Sequence, residues 1–148
     1  MFLSDVLLAS VVFFATLISC APANTTHLLF NERACGPYTV DNHGSLASPL
    51  VSDCRQIMAN IADNPTGYWT IDIDQQRTIL RYGSCAFGIT TDQMVVGISY
   101  LDVTDIITDS INQYQFKRED HQWRVGTGGS IVCENIDSGA TWGLYHTK

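Results

Sequence analysis

The sequence predicts an α+β domain in which two helices cover one face of an antiparallel sheet. Two segments place apolar residues at helical spacing, and shorter segments around them alternate apolar with polar residues, as strands do. The predicted order is strand, helix, several strands, helix and two strands. The 148 residues suit one domain with a modest core, so two disulfides are expected to add to its stability.

Residues 82–89 are expected to form a central strand of this sheet. Small and larger side chains alternate there, in the order Ser84, Cys85, Ala86, Phe87, Gly88 and Ile89. A thiol, an aromatic ring and a β-branched side chain therefore share one face, and the other face is nearly bare. We expect the larger face to pack under both helices, and a second layer to lie close to the bare face.

The first helix is predicted to begin at Ser48-Pro49, because serine caps a free amide and proline suits the first helical position. Its apolar face would hold Val51, Cys54, Ile57, Met58 and Ile61. It should end before Asn64-Pro65, since the residue before a proline avoids helical backbone angles.

The second helix is predicted to start near Asp102, whose charge suits the positive end of a helix dipole. Asp105 and Asp109 are expected to point away from the sheet. The apolar face would consist of Val103, Ile106, Ile107, Ile111 and Tyr114. A metal-binding role for these aspartates is less favoured than solvation in the first turns.

The remaining strands follow from alternation and turn residues. Antiparallel strands joined by short loops are expected at residues 67–73, 78–81, 82–89 and 94–98. Pro37 restricts residues 35–40 to a sheet edge or to the start of a strand, and residues 41–45 have turn chemistry. After a charged loop at 117–121, a strand should open at Trp123, be interrupted by glycines at 126–129 and close at 130–133; the last strand is residues 141–145.

Residues 1–23 have the features of a secretory signal peptide, with a short apolar run at 6–18 and small residues before the predicted cleavage site. A lipoprotein box ending at Cys20 and a retained anchor are the alternatives. The mature chain would start at Asn24, which opens a glycosylation sequon. We therefore expect a secreted protein with a leader at 24–34 and a folded domain at 35–148.

Four cysteines remain after the signal: Cys35, Cys54, Cys85 and Cys133. An even count in a secreted chain indicates two disulfides, with three possible connectivities. We favour Cys54–Cys85, which would pin a helix to the central strand, together with Cys35–Cys133. Neither the cysteines nor the histidines have the close spacing of a zinc site, so no metal or cofactor is predicted.

Charge argues against nucleic acid as a partner, because the net charge is −7, or −6 once Asp5 leaves with the signal. No catalytic residue is predicted. His146 as a base and Ser130 as a nucleophile lack a recognisable triad. Asp72 and Asp74 are better explained as solvated than as glycosidase carboxylates. We expect core positions, rather than a carbohydrate platform, for Trp69, Trp123 and Trp142, and a solvated loop for residues 117–120.

The ordered motifs resemble the fungal extracellular-protein-two effectors, also called the necrosis-inducing factor family. They span residues 35–146 and comprise Cys35, Ser-Asp-Cys at 52–54, Trp69, Tyr-Gly-Ser-Cys-Ala-Phe at 82–87, Val-Gly-Ile at 96–98, Asp-Val-x-Asp-Ile-Ile at 102–107, Arg-Val-Gly-Thr-Gly-Gly at 124–129, Cys133 and Trp-Gly-Leu-Tyr-His at 142–146. The resemblance implies that the four cysteines are structural. It also implies a distant likeness to the killer-protein-four toxins, which are α/β sandwiches.

Three functions follow as hypotheses. The family resemblance implies a secreted, non-enzymatic virulence effector, acting as a monomer on a host plant protein or membrane target and causing necrosis in some members. The toxin likeness implies an antifungal protein that acts on competitor membranes or ion channels. The third hypothesis is a cell-wall carbohydrate-binding or hydrolytic protein.

Overall fold

The computed structural model describes residues 33–63, 67–72, 77–91, 96–133 and 139–147. Two helices and ten strands follow in the order β1 (Cys35–Tyr38), β2 (Asp41–Asn42), α1 (Val51–Ala62), β3 (Tyr68–Ile71), β4 (Arg77–Tyr82), β5 (Cys85–Thr90), β6 (Val96–Ser99), α2 (Tyr100–Tyr114), β7 (Phe116–Lys117), β8 (Trp123–Arg124), β9 (Thr127–Cys133) and β10 (Ala140–His146). The predicted signal peptide and the Asn24 sequon lie outside the described residues.

The main sheet has the strand order β1-β9-β10-β5-β4, with β2 pairing onto β9, and every pair is antiparallel. Two helices, antiparallel sheets and two disulfides confirm the predicted α+β class. One expectation is wrong: β3 does not join the run of strands but pairs with β6 in a separate two-stranded sheet. Neither helix that the structure describes is long and apolar enough to cross a membrane.

The core lies between the main sheet and the helices, and β5 is its central strand. Cys85, Phe87 and Ile89 of β5 are fully buried, as the alternation predicted. Val103, Ile106 and Ile107 of α2 are fully buried in the same cluster. Each such aliphatic or aromatic side chain contributes roughly 1.5–3 kcal/mol through burial. The Phe87 ring also stacks on the Trp142 ring of β10, with centroids 6.0 Å apart.

Helix α1 begins at Val51, two residues later than Ser48-Pro49 predicted. Its first flanking residue, Leu50, has no side chain that can cap an amide. The Leu50 N–H instead donates to the Ser84 hydroxyl in the β4–β5 turn, at 2.9 Å. The Ser84 hydroxyl and backbone N–H in turn both donate to Asp53, each at 2.7 Å. The hydroxyl of the predicted cap, Ser48, accepts from the Ser45 N–H, outside the helix.

Helix α2 begins at Tyr100 and is capped by Ser99, whose hydroxyl accepts from the Asp102 N–H. Asp102 is therefore the third residue of the helix rather than its start. Its buried carboxylate accepts from the Ser99 N–H at 2.9 Å, from the Ser99 hydroxyl at 2.7 Å and from the Ala34 N–H at 3.0 Å. The Asp102 carboxylate therefore binds both the capping residue of α2 and the N-terminal segment.

Asp105 and Asp109 do not simply point away into solvent, because both bind the segment that precedes and includes β1. Arg33 Nε donates to Asp105 at 2.8 Å, and the Tyr38 hydroxyl donates to Asp109 at 2.6 Å. Burial, followed by this hydrogen bond, raises the pKa of Tyr38 well above its usual range. Helix α2 therefore holds the N-terminal segment through three aspartates.

Disulfides join Cys54 of α1 to Cys85 of β5, and Cys35 of β1 to Cys133 of β9. This is the pairing that we favoured from the sequence. The first bridge ties a helix to the central strand, and the second holds the edge strand β1 to its neighbour.

Two further local expectations are wrong. The glycines at 126–129 do not interrupt a strand, because β9 starts at Thr127 and runs through Gly128 and Gly129. The segment at 41–45 is not all turn, since Asp41 and Asn42 pair with β9. Both differences arise because β9 pairs with strands on each side. This pairing supplies backbone hydrogen bonds that local sequence patterns do not reveal.

Candidate functional site: a glycine-floored groove

The face of the main sheet that points away from the helices carries a row of glycines. Gly143 of β10 lies directly opposite Gly128 of β9 on one side and Gly88 of β5 on the other. The neighbours of these residues, Phe87 and Leu144, are buried on the helix-covered face. Because side chains alternate along strands, the three glycines lie on the opposite face. On this face, the central strands therefore have almost no side chains of their own over the glycine row.

A row of hydroxyl side chains runs beside the glycines. Ser130 of β9, Thr141 of β10 and Thr90 of β5 lie opposite one another across the three strands. The Ser130 hydroxyl contacts that of Thr39 at 3.2 Å. Within the described part of the chain, the hydroxyls of Thr90 and Thr141 have no hydrogen-bond partner. These two hydroxyls, each able to donate and to accept a hydrogen bond, therefore lie side by side at the edge of the glycine row.

Two ring side chains close over the ends of the glycine row. A Cβ atom on Gly88 would lie 2.6 Å from the Tyr145 hydroxyl, so this ring covers Gly88. The Tyr145 hydroxyl is fixed by a 2.6 Å hydrogen bond to the hydroxyl of Thr78 on β4. A Cβ atom on Gly128 would lie 2.8 Å from the His43 ring. These rings, rather than another layer of secondary structure, cover the bare face at both positions.

Gly143, at the centre of the row, stays open. A Cβ atom placed there meets nothing closer than 3.4 Å, which is ordinary van der Waals contact. The space above it is a groove of about 430 Å³, a size typical of small-molecule sites. Its lining is His43, Ser45, Ala47, Ser48, Pro49, Gly88, Thr90, Gly126, Thr127, Thr141, Trp142, Gly143, Leu144, Tyr145 and His146.

The groove is polar, and its titratable side chains include His43 and His146. None of its lining residues is Asp, Glu, Lys or Arg. Among the residues that the structure describes, no cluster of three or more His, Cys, Asp or Glu side chains could hold a metal ion. The groove can offer hydroxyls, ring nitrogens, ring faces and backbone groups to a ligand.

The sequence candidates for catalysis are not brought together. His146 lines the groove, but Ser130 lies outside its lining and bonds to Thr39. Asp72 is exposed at the end of β3, and Asp74 lies outside the described residues. Among the candidates that the structure describes, a nucleophile, a base and a carboxylate are therefore not brought into one site.

The three tryptophans do not share one environment. Trp142 is in the core and Trp69 is half-buried against it, as expected. Trp123 is 48% exposed, so its predicted core position is wrong. It lies in the two-residue strand β8, which pairs with the equally short β7 and has one bridge to Leu50. The Lys117 ammonium lies 5.9 Å from the centroid of the Trp123 ring. A short hairpin off the main sheet cannot bury an indole.

The 117–120 segment is the turn side of that hairpin and is largely exposed, as a solvated loop should be. Asp120 pairs with Arg124 at 2.8 Å. This hydrogen bond, aided by the Gln122 backbone, lowers the pKa of Asp120. Because both partners reach solvent, the pair adds little to stability.

Comparison with known proteins identifies the family. Residues 34–133 match the Hce2 family, which is described as "Pathogen effector; putative necrosis-inducing factor". The chain belongs to the Hce2 family. This confirms the resemblance that the ordered motifs indicated.

A fungal relative extends the comparison. The chain is 38% identical over 118 residues to a protein named "Probable chitinase LysM18" from Penicillium expansum. The match covers 75% of this chain but only 8% of the relative's own length. The Hce2 domain therefore corresponds to a small part of that protein.

Sequence reasoning missed the groove. It singled out His146 but not Gly143, Thr141, Thr90 or His43. The sequence shows that Trp142 and Leu144 alternate with Thr141 and Gly143, yet only the pairing of β10 with both β5 and β9 places the glycines and hydroxyls in rows.

Proposed function

We propose that this Hce2 chain is a secreted fungal effector that acts by binding a host target, and that the glycine-floored groove is its binding site. Family membership supports the effector role. Two disulfides support secretion, because such bonds persist in oxidising compartments. The observation that carries the choice of site is the open floor at Gly143, between two ring side chains and two free hydroxyls.

The composition of the groove favours binding over catalysis. Glycoside hydrolysis uses a pair of carboxylates that flank the scissile bond, and the groove lining has none. Acyl transfer needs a nucleophile activated by an adjacent base. Ser45 and Ser48 line the groove with His43, but the Ser48 hydroxyl bonds to the Ser45 backbone N–H and not to a histidine. A non-enzymatic role is the simplest explanation of this lining.

A carbohydrate-binding role in the cell wall is the second candidate. The observation that favours it is the 38% identity to a protein named as a probable chitinase. Because the match covers 8% of that protein, we do not extend its hydrolytic activity to this chain. A binding role for the shared segment accords with a groove that lacks carboxylates.

The test is leaf infiltration with the wild-type protein, Gly143→Val and Gly36→Val. The first substitution fills the groove floor at a position where a Cβ fits. The second is a matched control: Gly36 also lies in a strand with room for a Cβ, whose nearest neighbour would be 3.6 Å away, but it does not line the groove. Neither glycine has a positive φ, so the backbone at both positions suits a residue with a Cβ.

We expect the wild type and Gly36→Val to cause the same host response, and Gly143→Val to cause little or none. Circular dichroism should show that all three proteins fold. A full response to folded Gly143→Val would refute the groove as the effector site. No response to the wild type across many host genotypes would refute the effector role itself.

A further inference from the structure

We propose that the groove binds an uncharged oligosaccharide of the cell-wall type. This inference rests on the proposed function of the groove as a binding site, and it adds the chemical class of the ligand. Three properties of the lining support this ligand class: its free hydroxyls, its ring side chains and its lack of Asp, Glu, Lys and Arg.

The free hydroxyls suit a ligand that is itself rich in hydroxyls. Thr90 and Thr141 face each other on neighbouring antiparallel strands, where paired side chains stand about 5 Å apart. Each hydroxyl can donate one hydrogen bond and accept others, so the pair can serve both donors and acceptors on a sugar. Neither has a partner among the described residues, and binding would therefore break no internal bond of theirs.

The ring side chains suit the apolar faces of sugar rings. Tyr145 is half-buried and held by Thr78, so it is already ordered before a ligand arrives. His43 stands at the other end of the row, over Gly128. A sugar ring presents C–H groups on its faces and hydroxyls around its rim. The open backbone at Gly143 lets such a flat ring approach the sheet closely between the two rings.

The absence of Lys and Arg from the lining argues against an anionic ligand. A carboxylate or phosphate would lose water on entering the groove without gaining a Lys or Arg partner. An uncharged ligand has no such cost. The protein's net charge of −7 acts in the same direction, because it repels anions from the whole surface.

The fungal relative separately indicates which polymer the sugar could come from. The segment that matches this chain belongs to a protein named as a probable chitinase, and chitin is an uncharged polymer of N-acetylglucosamine. β-Glucans share the uncharged, hydroxyl-rich chemistry. The experiment must therefore separate these two sources.

The test is calorimetric titration of the full folded chain with three probes: a chitin hexamer, a β-glucan hexamer and an oligogalacturonate of similar length. The proteins are the wild type, Gly143→Val, Thr141→Val and the control Gly36→Val. Thr141→Val keeps the side-chain shape but removes the hydroxyl. We expect at least one uncharged hexamer to bind, with the oligogalacturonate binding much more weakly.

Gly143→Val should abolish binding, and Gly36→Val should leave it unchanged. Thr141→Val should weaken it about two- to twelvefold, the effect of one neutral hydrogen bond of about 0.5–1.5 kcal/mol. The preferred hexamer identifies the source as chitin or glucan. Equal binding by the wild type and folded Gly143→Val would overturn the site, and tighter binding of the oligogalacturonate would overturn the uncharged class.

The leaf assay separates this inference from the proposed function. If no oligosaccharide binds but the host response still depends on Gly143, the ligand class is wrong and the effector site stands. If a hexamer binds through Gly143 but no host responds, the ligand inference stands and the effector role fails.

Discussion

Ser84→Ala should destabilise the protein more than Ser48→Ala, although the sequence favoured Ser48 as the cap of α1. Ser84 lies 34 positions beyond the N–H that it caps, and it belongs to the β4–β5 turn. Its hydroxyl accepts from the Leu50 N–H and donates to the Asp53 carboxylate. Removing it breaks both bonds at once, at the junction of the helix with the sheet.

The magnitude follows from the two bonds. A hydrogen bond to a charged carboxylate contributes about 1.5 kcal/mol when partly exposed, and a lost helix cap costs about 1 kcal/mol. Ser84→Ala should therefore lower the free energy of unfolding by about 2–3 kcal/mol. Ser48→Ala breaks one bond, from the N–H of exposed Ser45, which water can replace. Its cost should be about 0.5–1 kcal/mol.

Urea unfolding of the two variants, followed by circular dichroism, measures the difference. With a slope of roughly 1–3 kcal/mol per molar urea, the midpoint of Ser84→Ala should fall about 1 M or more below that of the wild type. Equal shifts for both variants, or a larger shift for Ser48→Ala, would refute the assignment of the cap to Ser84. Ser84→Thr keeps the hydroxyl and serves as the control that should recover most of the loss.

Two further predictions concern contacts of α2. The pKa of Tyr38 is raised in the folded state, so above about pH 10 the unfolded tyrosine ionises while the folded one stays protonated, and the wild type loses stability as the pH rises. Tyr38→Phe should not show this loss. Unfolding with the same pH dependence in both proteins would contradict the prediction. Asp102→Ala should lower the free energy of unfolding by about 2–5 kcal/mol, because it leaves the buried N–H of Ser99 and the part-buried N–H of Ala34 without their acceptor. A loss below about 1 kcal/mol in urea unfolding would show that these donors find other partners.

Local periodicity predicted the elements well. The alternation around Phe87 identified the central strand, and the helical spacing of Val103, Ile106 and Ile107 identified the buried face of α2. These patterns are set by residues two to four positions apart, which is the range over which backbone geometry alone relates side chains. The fold class follows because amphipathic helices and alternating strands have few ways to bury their apolar faces together.

Long-range pairing could not be predicted in the same way. No local pattern shows that β3 pairs with β6 across the β4–β5 hairpin, or that a turn serine caps α1. The same limit explains the error at Gly128 and Gly129. Glycine weakens an isolated strand, yet β9 persists there because β10 and β2 pair with it on opposite sides.

The groove was the hardest feature to predict, because its parts are chemically plain. Gly88, Gly128 and Gly143 lie in three strands that are far apart in sequence, and only the register of β10 with both neighbours aligns them. Two of these glycines have a structural reason, since a Cβ at Gly88 or Gly128 would require the ring of Tyr145 or His43 to move. Gly143 has no such reason, because a Cβ would fit there without displacing a neighbour.

A strand that could hold a β-branched residue, and would be stabilised by about 1 kcal/mol if it did, instead carries glycine at the centre of an open groove. Packing explains the covered glycines at 88 and 128, but it does not explain the open one. A ligand that needs close approach to the backbone does explain it. Gly143→Val therefore separates the two accounts: packing alone predicts a protein that is at least as stable and fully active, whereas a ligand site predicts one that is at least as stable but inactive.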